Sequence, residues 1–329
     1  KEYDMPKEAA DPVGRINSYV NISGEKHNYE YSKHLDQLGE TYENLSAKDM
    51  KDITGSDFYS GGLFMPGCLM LQPALYISKL AEGISNQYQK NFGLYEHTPA
   101  LELKNNIDEW IVKTPKGSIK TKKIIMAVNG HVESFGFFEK RLMHVFTYAS
   151  MTRKLTEIEQ KALGGKSSWG ITPSDPMGST LRRITGINGD RILIRNRWTF
   201  NPTLEVSENN VQKFGKDQDE SFKKRFPMIP DVTMEYRWGG RLCLSLNSVP
   251  AFGEVDKNVF SACCQNGIGT AKGTLAGIGA AELALGLNSE IVKDMSSYDK
   301  PKKLPPSPIS TIGARTVIKW REFKAKAEL

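Results

Sequence analysis

The residues best suited to chemistry in this chain are glycines and arginines. Gly267-Ile268-Gly269-Thr270-Ala271-Lys272-Gly273 follows an apolar segment, Asn258 to Cys263, and opens a small-residue stretch from about Gly269 to Leu285. A helix that starts on such a loop presents unpaired N–H groups and the positive end of its dipole, which suits a phosphate or the anionic edge of a ring. The competing reading is a glycine loop used only for close helix packing. A first dinucleotide-binding unit would also need a second strand and an acidic residue about twenty positions on. Only a linker and a tail follow here, so this loop does not open such a unit.

A second cluster is Trp238-Gly239-Gly240-Arg241, closed by Pro250 and Gly253. Paired glycines at a strand end would let a planar ligand approach the backbone, and Arg241 can pair with a carboxylate. A tight turn with a surface arginine explains the same residues equally well. Arg182, Arg183, Arg195 and Arg197 fall on two adjacent strand candidates, and whichever share a face would make a cationic wall. For each one taken singly, a solvated edge-strand arginine is the favoured reading. The five histidines show no H-E-x-x-H and no acid partner at ligand spacing, so no metal site is expected. His131, after Asn129-Gly130, is placed to touch a ligand, with a loop or helix-start histidine as the favoured reading. No G-x-S-x-G occurs, and no cysteine has a convincing paired histidine, which disfavours hydrolytic nucleophile chemistry.

These residues need a scaffold, and the composition supports one. Of 329 residues, 39% are hydrophobic and 25% charged, enough for a large core in one or two domains. The net charge of +6 permits an acidic small-molecule substrate but is too weak and too evenly spread for nucleic acid. No apolar run reaches the length of a transmembrane helix. Cys68, Cys243, Cys263 and Cys264 have no metal spacing and read as reduced thiols of a cytoplasmic protein. The chain opens on Lys1-Glu2-Tyr3-Asp4 without an apolar signal core, and a truncated or processed chain is expected.

Along the chain, residues 1–93 read as helix and loop. Lys26 to Leu38 stops at Gly39, Ser46-Ala47-Lys48-Asp49 looks like a capping box ahead of Gly55, Gly61-Gly62 is punctuation, and Pro73 opens a helix with Leu75, Leu80 and Ile84 on one stripe. In 94–142, Trp110 to Thr121 reads as a hairpin, and Ile124 to Val128 as a strand buried on both faces that ends at Asn129-Gly130. Residues 143–250 form a sheet-rich region with strands near Val145–Thr152, Thr180–Thr185, Arg191–Arg197 and Thr233–Trp238, and helices at Thr156–Leu163 and Val211–Phe226. Residues 251–290 supply a strand and helix, and 291–329 a Pro-rich linker and a terminal helix docked on the body, with membrane-surface attachment as the minor alternative.

This order of motifs resembles the family of FAD-dependent glycine, sarcosine and D-amino-acid oxidases, most closely the gamma-glutamylputrescine oxidoreductase branch. The resemblance rests on Ala127-Val128-Asn129-Gly130, on the Trp238-Gly239-Gly240 to Pro250-Ala251-Phe252-Gly253 block, and on Gly267-Ile268-Gly269. It implies an α/β fold in which an incomplete FAD-binding Rossmann-like region is interleaved with a mixed-sheet substrate domain. It implies that Ile268, Gly269, Thr270 and Ala271, with Gly267, meet the flavin pyrimidine edge, that Ala127, Val128 and Asn129 pass the cofactor, and that Ala100 contacts the adenosine half. Gly239 and Gly240 would lie beside the ring. Many relatives carry a substrate-carboxylate arginine at the position of Leu242, one residue beyond Arg241. The family's N-terminal G-x-G-x-x-G segment is absent from the sequence, so a complementing N-terminal segment or a homo-oligomer is an expected partner. The implied activity is C–N oxidation of an amino acid or carboxylate-bearing amine, with Arg241, Arg182 and Arg197 as substrate-binding candidates. A cofactor-free remnant or interaction subunit is the alternative.

Overall fold

The computed structural model describes Tyr3 and residues 5–329. The first elements are β1 (Ala10–Asp11), β2 (Arg15–Tyr19), α1 (Ile22–Leu38), β3 (Glu43–Ser46), α2 (Ala47–Thr54), β4 (Gly61–Met65), β5 (Met70–Leu71) and α3 (Pro73–Gln87). A three-stranded meander follows, β6 (Glu102–Asn106), β7 (Glu109–Thr114) and β8 (Gly117–Thr121), and then β9 (Ile124–Met126). The middle of the chain gives β10 (Leu142–Thr152), α4 (Glu157–Leu163), β11 (Trp169–Pro173), β12 (Thr180–Ile184), β13 (Arg191–Phe200), α5 (Glu208–Arg225) and β14 (Met234–Ser245). Last come β15 (Ala251–Asp256), β16 (Val259–Cys263), α6 (Gly269–Ala284), α7 (Glu290–Ser297) and α8 (Ile309–Lys324).

The centre is an eight-stranded mixed sheet in the order β14-β10-β13-β12-β11-β2-β4-β3, all neighbours antiparallel except β11 and β2. One face buries Ile16, Trp169, Ile171, Leu181, Ile192 and Ile194 against Phe222 and Phe226 at the end of α5. Each of these side chains contributes about 1.5–3 kcal/mol of apolar burial, which makes this the principal core. A second sheet, β15-β16-β9, carries α6, whose small residues Ala276, Gly279 and Ala280 are buried.

Local chemistry sets the helix boundaries. The Asn21 side chain accepts from Gly24 N at 2.9 Å to start α1, and Gly39 ends it in the left-handed region at φ 68°. Ser46 and Asp49 form the expected capping box on α2. Gly55 closes that helix at φ 78°, where a Cβ would stand 1.9 Å from the Leu163 carbonyl oxygen, so no other residue fits.

Several expectations are corrected. Residues 1–93 are not only helix and loop, because β2, β3 and β4 join the main sheet. Gly61-Gly62 lies inside β4, where the Tyr19 ring and the Met50 sulfur fill the space that side chains would take. The segment from Ile124 to Val128 is not buried on both faces: Met126 is buried, but Ile125 is 43% and Val128 36% exposed, and β9 is an edge strand of its sheet. Gly239 and Gly240 are interior to β14 rather than at a strand end. Helix α7 was not anticipated, and the stripe on α3 is only half-buried. No helix among the described residues is long and apolar enough to cross a membrane.

Candidate functional site

Two asparagines knit three chain segments into one junction. Asn129, in the left-handed region just past β9, accepts from Cys264 N at 3.3 Å. Asn266 accepts from Ser245 N at 2.9 Å and donates to Val249 O at 3.0 Å, tying the end of β14 to the loop before α6. Ala127, Val128 and Asn129 are thereby brought beside the loop that carries Gly267, Ile268 and Gly269. That loop is open: nothing lies within 4 Å of where a Cβ would stand on Gly267 or Gly269, and Ile268 is 56% exposed. The α6 N-terminus, including Thr270 and Ala271, has no side-chain cap, so its first N–H groups remain available to a ligand. An uncapped helix start within an unfilled, partly apolar cradle fits a flavin edge. Ala100 is exposed and precedes the β6–β8 meander, which is attached to the second sheet by Trp110 Nε1 donating to Lys257 O at 2.9 Å.

The arginines are sorted by strand alternation. Thr180 pairs with Arg195 and Arg182 with Leu193, so Arg182 and Arg195 project from the face opposite the α5 core. Arg195 donates to Thr180 Oγ1 at 2.7 Å and Arg182 to Leu71 O at 3.4 Å. Among the described residues neither has a carboxylate within 4.0 Å. Burial pulls the Arg182 guanidinium below its ordinary range, and burial together with Arg182 brings Arg195 down to about 10. Ala149 stands opposite both Arg195 and Trp238, and Thr147 opposite both Trp198 and Gly240, so these residues share the face that α5 leaves open, with Ala149 and Thr147 buried at its floor and Trp238 exposed. Small residues between two indole rings and two unneutralised cations can receive a flat, anion-bearing ligand.

The other candidates are placed elsewhere. Arg183 points into the core and is neutralised by Asp190, with Nη2 to Oδ2 at 2.7 Å. Arg197 is the bulged residue of β13, at φ 59°, and binds Asp217 Oδ2 at 2.8 Å, so it does not stand beside Arg182. Arg241 pairs with Phe146 on the α5 face, lies against that ring, and meets His131, the Leu204 carbonyl and Glu205. It is therefore on the wrong face to act with Arg182, whereas Leu242 projects from the open face. The same alternation separates the glycines: a Cβ on Gly239 would meet Val206 at 3.1 Å, while Gly240 faces the arginines with no atom nearer than 3.8 Å. Arg195 and Trp198 complete the constellation. Their sequence signal was the Arg182/Arg195 two-strand spacing, but the choice among four arginines required the register.

A family profile described as "FAD dependent oxidoreductase" (DAO) matches residues 8–283. The chain is 26% identical over 260 residues to "Probable oxidoreductase OrdL" of Haemophilus influenzae, covering 74% of this chain and 55% of that protein. It is 25% identical over 278 residues to gamma-glutamylputrescine oxidoreductase of Escherichia coli, covering 84% and 60%. The chain thus spans little more than half the length of these relatives. Glycine oxidase from Geobacillus kaustophilus shares the fold, with a TM-score of 0.71 over 93% of this chain and 78% of that one at 15% identity. The match over most of the chain and the shared architecture establish that it belongs to the DAO family of FAD-dependent oxidoreductases.

Proposed function

We propose that this chain carries the substrate side and part of the flavin side of an enzyme that oxidises the C–N bond of an amino acid or carboxylate-bearing amine. The observation that carries the reading is the Arg182/Arg195 pair, two half-buried cations on one open face with no acidic partner among the described residues. Unneutralised guanidiniums in a partly desolvated site are costly unless an anion arrives, and a carboxylate matches their fork geometry. They would also repel a simple polyamine, whose charge has the same sign. When bound, FAD supplies the hydride acceptor, and the substrate imine is then hydrolysed by water.

The chain's own residues would bind and orient. Gly267, Ile268, Gly269, Thr270 and Ala271 would offer backbone N–H groups to the electron-rich edge of the ring. Ala127, Val128 and Asn129 would line its passage and Ala100 the adenosine side, while Gly240 leaves space beside the arginines. Arg182 and Arg195 would fix the carboxylate and so the reacting carbon. A reducing, cytoplasmic setting suits four free cysteines. Exposed Ile125, Val128, Leu275 and Ile278 offer a seat for a further polypeptide, either a complementing segment or a second copy.

The test is amine oxidation, monitored by flavin absorbance, with an α-amino acid and with the amine that lacks its carboxylate. Faster turnover of the acid, lost on Arg195→Met, is the expected result. Equal turnover of both amines, or a protein that takes up no flavin in any assembly, would sink the reading.

A further inference from the structure

Strand β13 changes parity partway along, at a point that a side chain of α8 contacts. Arg191, Leu193 and Arg195 share the open face, and an uninterrupted strand would continue with residue 197. Instead Thr147 pairs with Trp198 and Tyr148 with Asn196, so Arg197 is the extra residue of a bulge and Trp198 takes its place on the open face. The Arg195 guanidinium stands 5.7 Å from the centre of the Trp198 ring, within reach of a cation–π contact.

One side chain of α8, Glu322, contacts this bulge at two points. Strand β12 pairs with β13 only as far as Arg195, and beyond that point the Trp198 N–H donates to Glu322 Oε1 at 3.1 Å. The other carboxylate oxygen of Glu322 is 3.8 Å from Arg197 Nη1, so the same group engages the bulge residue as well. Asp217 also binds Arg197 but has no bond to the Trp198 N–H. The helix is itself anchored. The Glu328 carbonyl accepts from Arg225 Nη2 and from Ser179 N, both at 2.8 Å, and its carboxylate accepts from Ser174 Oγ at 2.6 Å and Asp175 N at 2.9 Å. Ser174, Asp175 and Ser179 lie in the connection that leads into β12 and Arg182.

We infer that Glu322 is a positioning residue for substrate recognition: by holding the β13 bulge it sets Trp198 on the open face, and Trp198 in turn orients Arg195 toward the bound carboxylate. This rests on the carboxylate-site reading above. Glu322 itself touches no substrate. Its effect reaches the site through one backbone hydrogen bond and one ring.

The test uses the chain labelled with 5-fluorotryptophan, propionate as the probe anion, and the ¹⁹F signal of Trp198 assigned with Trp198→Phe. Glu322→Ala should weaken propionate at least fivefold and shift the Trp198 signal. Glu322→Gln, whose amide oxygen still accepts the Trp198 N–H, should stay within about twofold of the unaltered chain with little shift. Asp217→Asn should change neither. Unaltered affinity in Glu322→Ala, or an equal loss in Asp217→Asn, overturns the inference. Thermal melts identify loss of fold; if Glu322→Ala does not fold, Glu322→Asp, too short to reach both partners, replaces it with the same expectations. If propionate does not bind, or binds Arg195→Met as it binds the unaltered chain, the carboxylate-site reading fails separately. The Trp198 signal then decides the positioning role, and an unshifted signal in Glu322→Ala rejects it.

Discussion

Arg182 and Arg183 are consecutive residues of one strand, yet the two faces of the sheet use them differently. On the α5 face, Arg183 is enclosed by Asp190 and by the carbonyls of Gly164 and Lys166, at 2.6 and 3.1 Å, so its charge is spent within the fold. On the open face, among the described residues, Arg182 donates to a carbonyl, and Arg195 donates to a hydroxyl and lies over the Trp198 ring, with no carboxylate beside either. The first arrangement is a structural ion pair, and removing one partner leaves an uncompensated buried charge. The second keeps its charge for something outside the chain. Identical residue types one position apart thus serve stability and recognition, and the difference is made by what each face packs against.

The largest expected effect would break the first half of that contrast. Arg183→Met should destabilise the fold by about 3–5 kcal/mol, because Asp190 would remain buried without a partner, and urea denaturation would measure it. A loss below about 1 kcal/mol would mean that Asp190 relaxes to solvent and that the faces differ less than argued. Arg195→Met should do the opposite. Stability should hold or rise, since a partly buried cation without a carboxylate partner is removed, while kcat/KM for a carboxylate-bearing amine falls about ten- to 150-fold, a loss of about 1.5–3 kcal/mol in transition-state stabilisation.

A pH titration sharpens the same point. With burial and Arg182 holding Arg195 at about 10, well below the ordinary guanidinium range, carboxylate affinity should decline as pH rises through about 10. Between about 10 and the ordinary guanidinium range the unfolded chain binds more protons at this group than the folded one, so its contribution to stability rises with pH there. Affinity flat to pH 11 would place the bound anion on other cations. Glu159 provides the reverse sign: Arg153 and the Thr156 cap hold its carboxyl at about 2, so its stabilisation is present above 4.5 and lost as pH falls through about 2. Because Arg153 is a third exposed, that contribution is about 0.5–1 kcal/mol after screening, measurable as the stability difference from Glu159→Gln. The smallest effect belongs to Arg241→Met, which should change KM for carboxylate-bearing amines less than about twofold, within the scatter of a surface substitution. A larger and carboxylate-specific change would return Arg241 to the site.

The legible parts of the sequence were those governed by neighbours along the chain. The Ser46–Asp49 capping box, the αL glycines at 39 and 55, Pro73 at a first turn and the glycine entry to α6 all depend on contacts within a few residues. The arginine face did not, because the bulge at Arg197 reverses the side on which every later β13 residue appears and its cause, Glu322, lies 124 positions from Trp198. Gly61-Gly62 conceals its strand for a related reason. Its strand is made possible by Tyr19 and Met50, which fill the missing side-chain volume from other elements. The apolar run of β9 correctly announced a strand, but how many neighbours cover that strand is a tertiary fact.

The asparagine-knit junction has a consequence for the order in which the molecule assembles. Its two halves, Asn129 and Cys264, are 135 positions apart, and between them run five strands of the eight-stranded sheet, β10 to β14. Closing so long a loop as free coil is entropically slow, whereas the antiparallel pairing of β10 with β14 first brings Leu142 opposite Ser245 and shortens the gap to a few tens of residues. The cradle beside α6 therefore forms late, on a sheet already built. A ligand spanning it is expected to protect the backbone amides around Cys264 from exchange more than those of the sheet, which hydrogen exchange with and without flavin would measure.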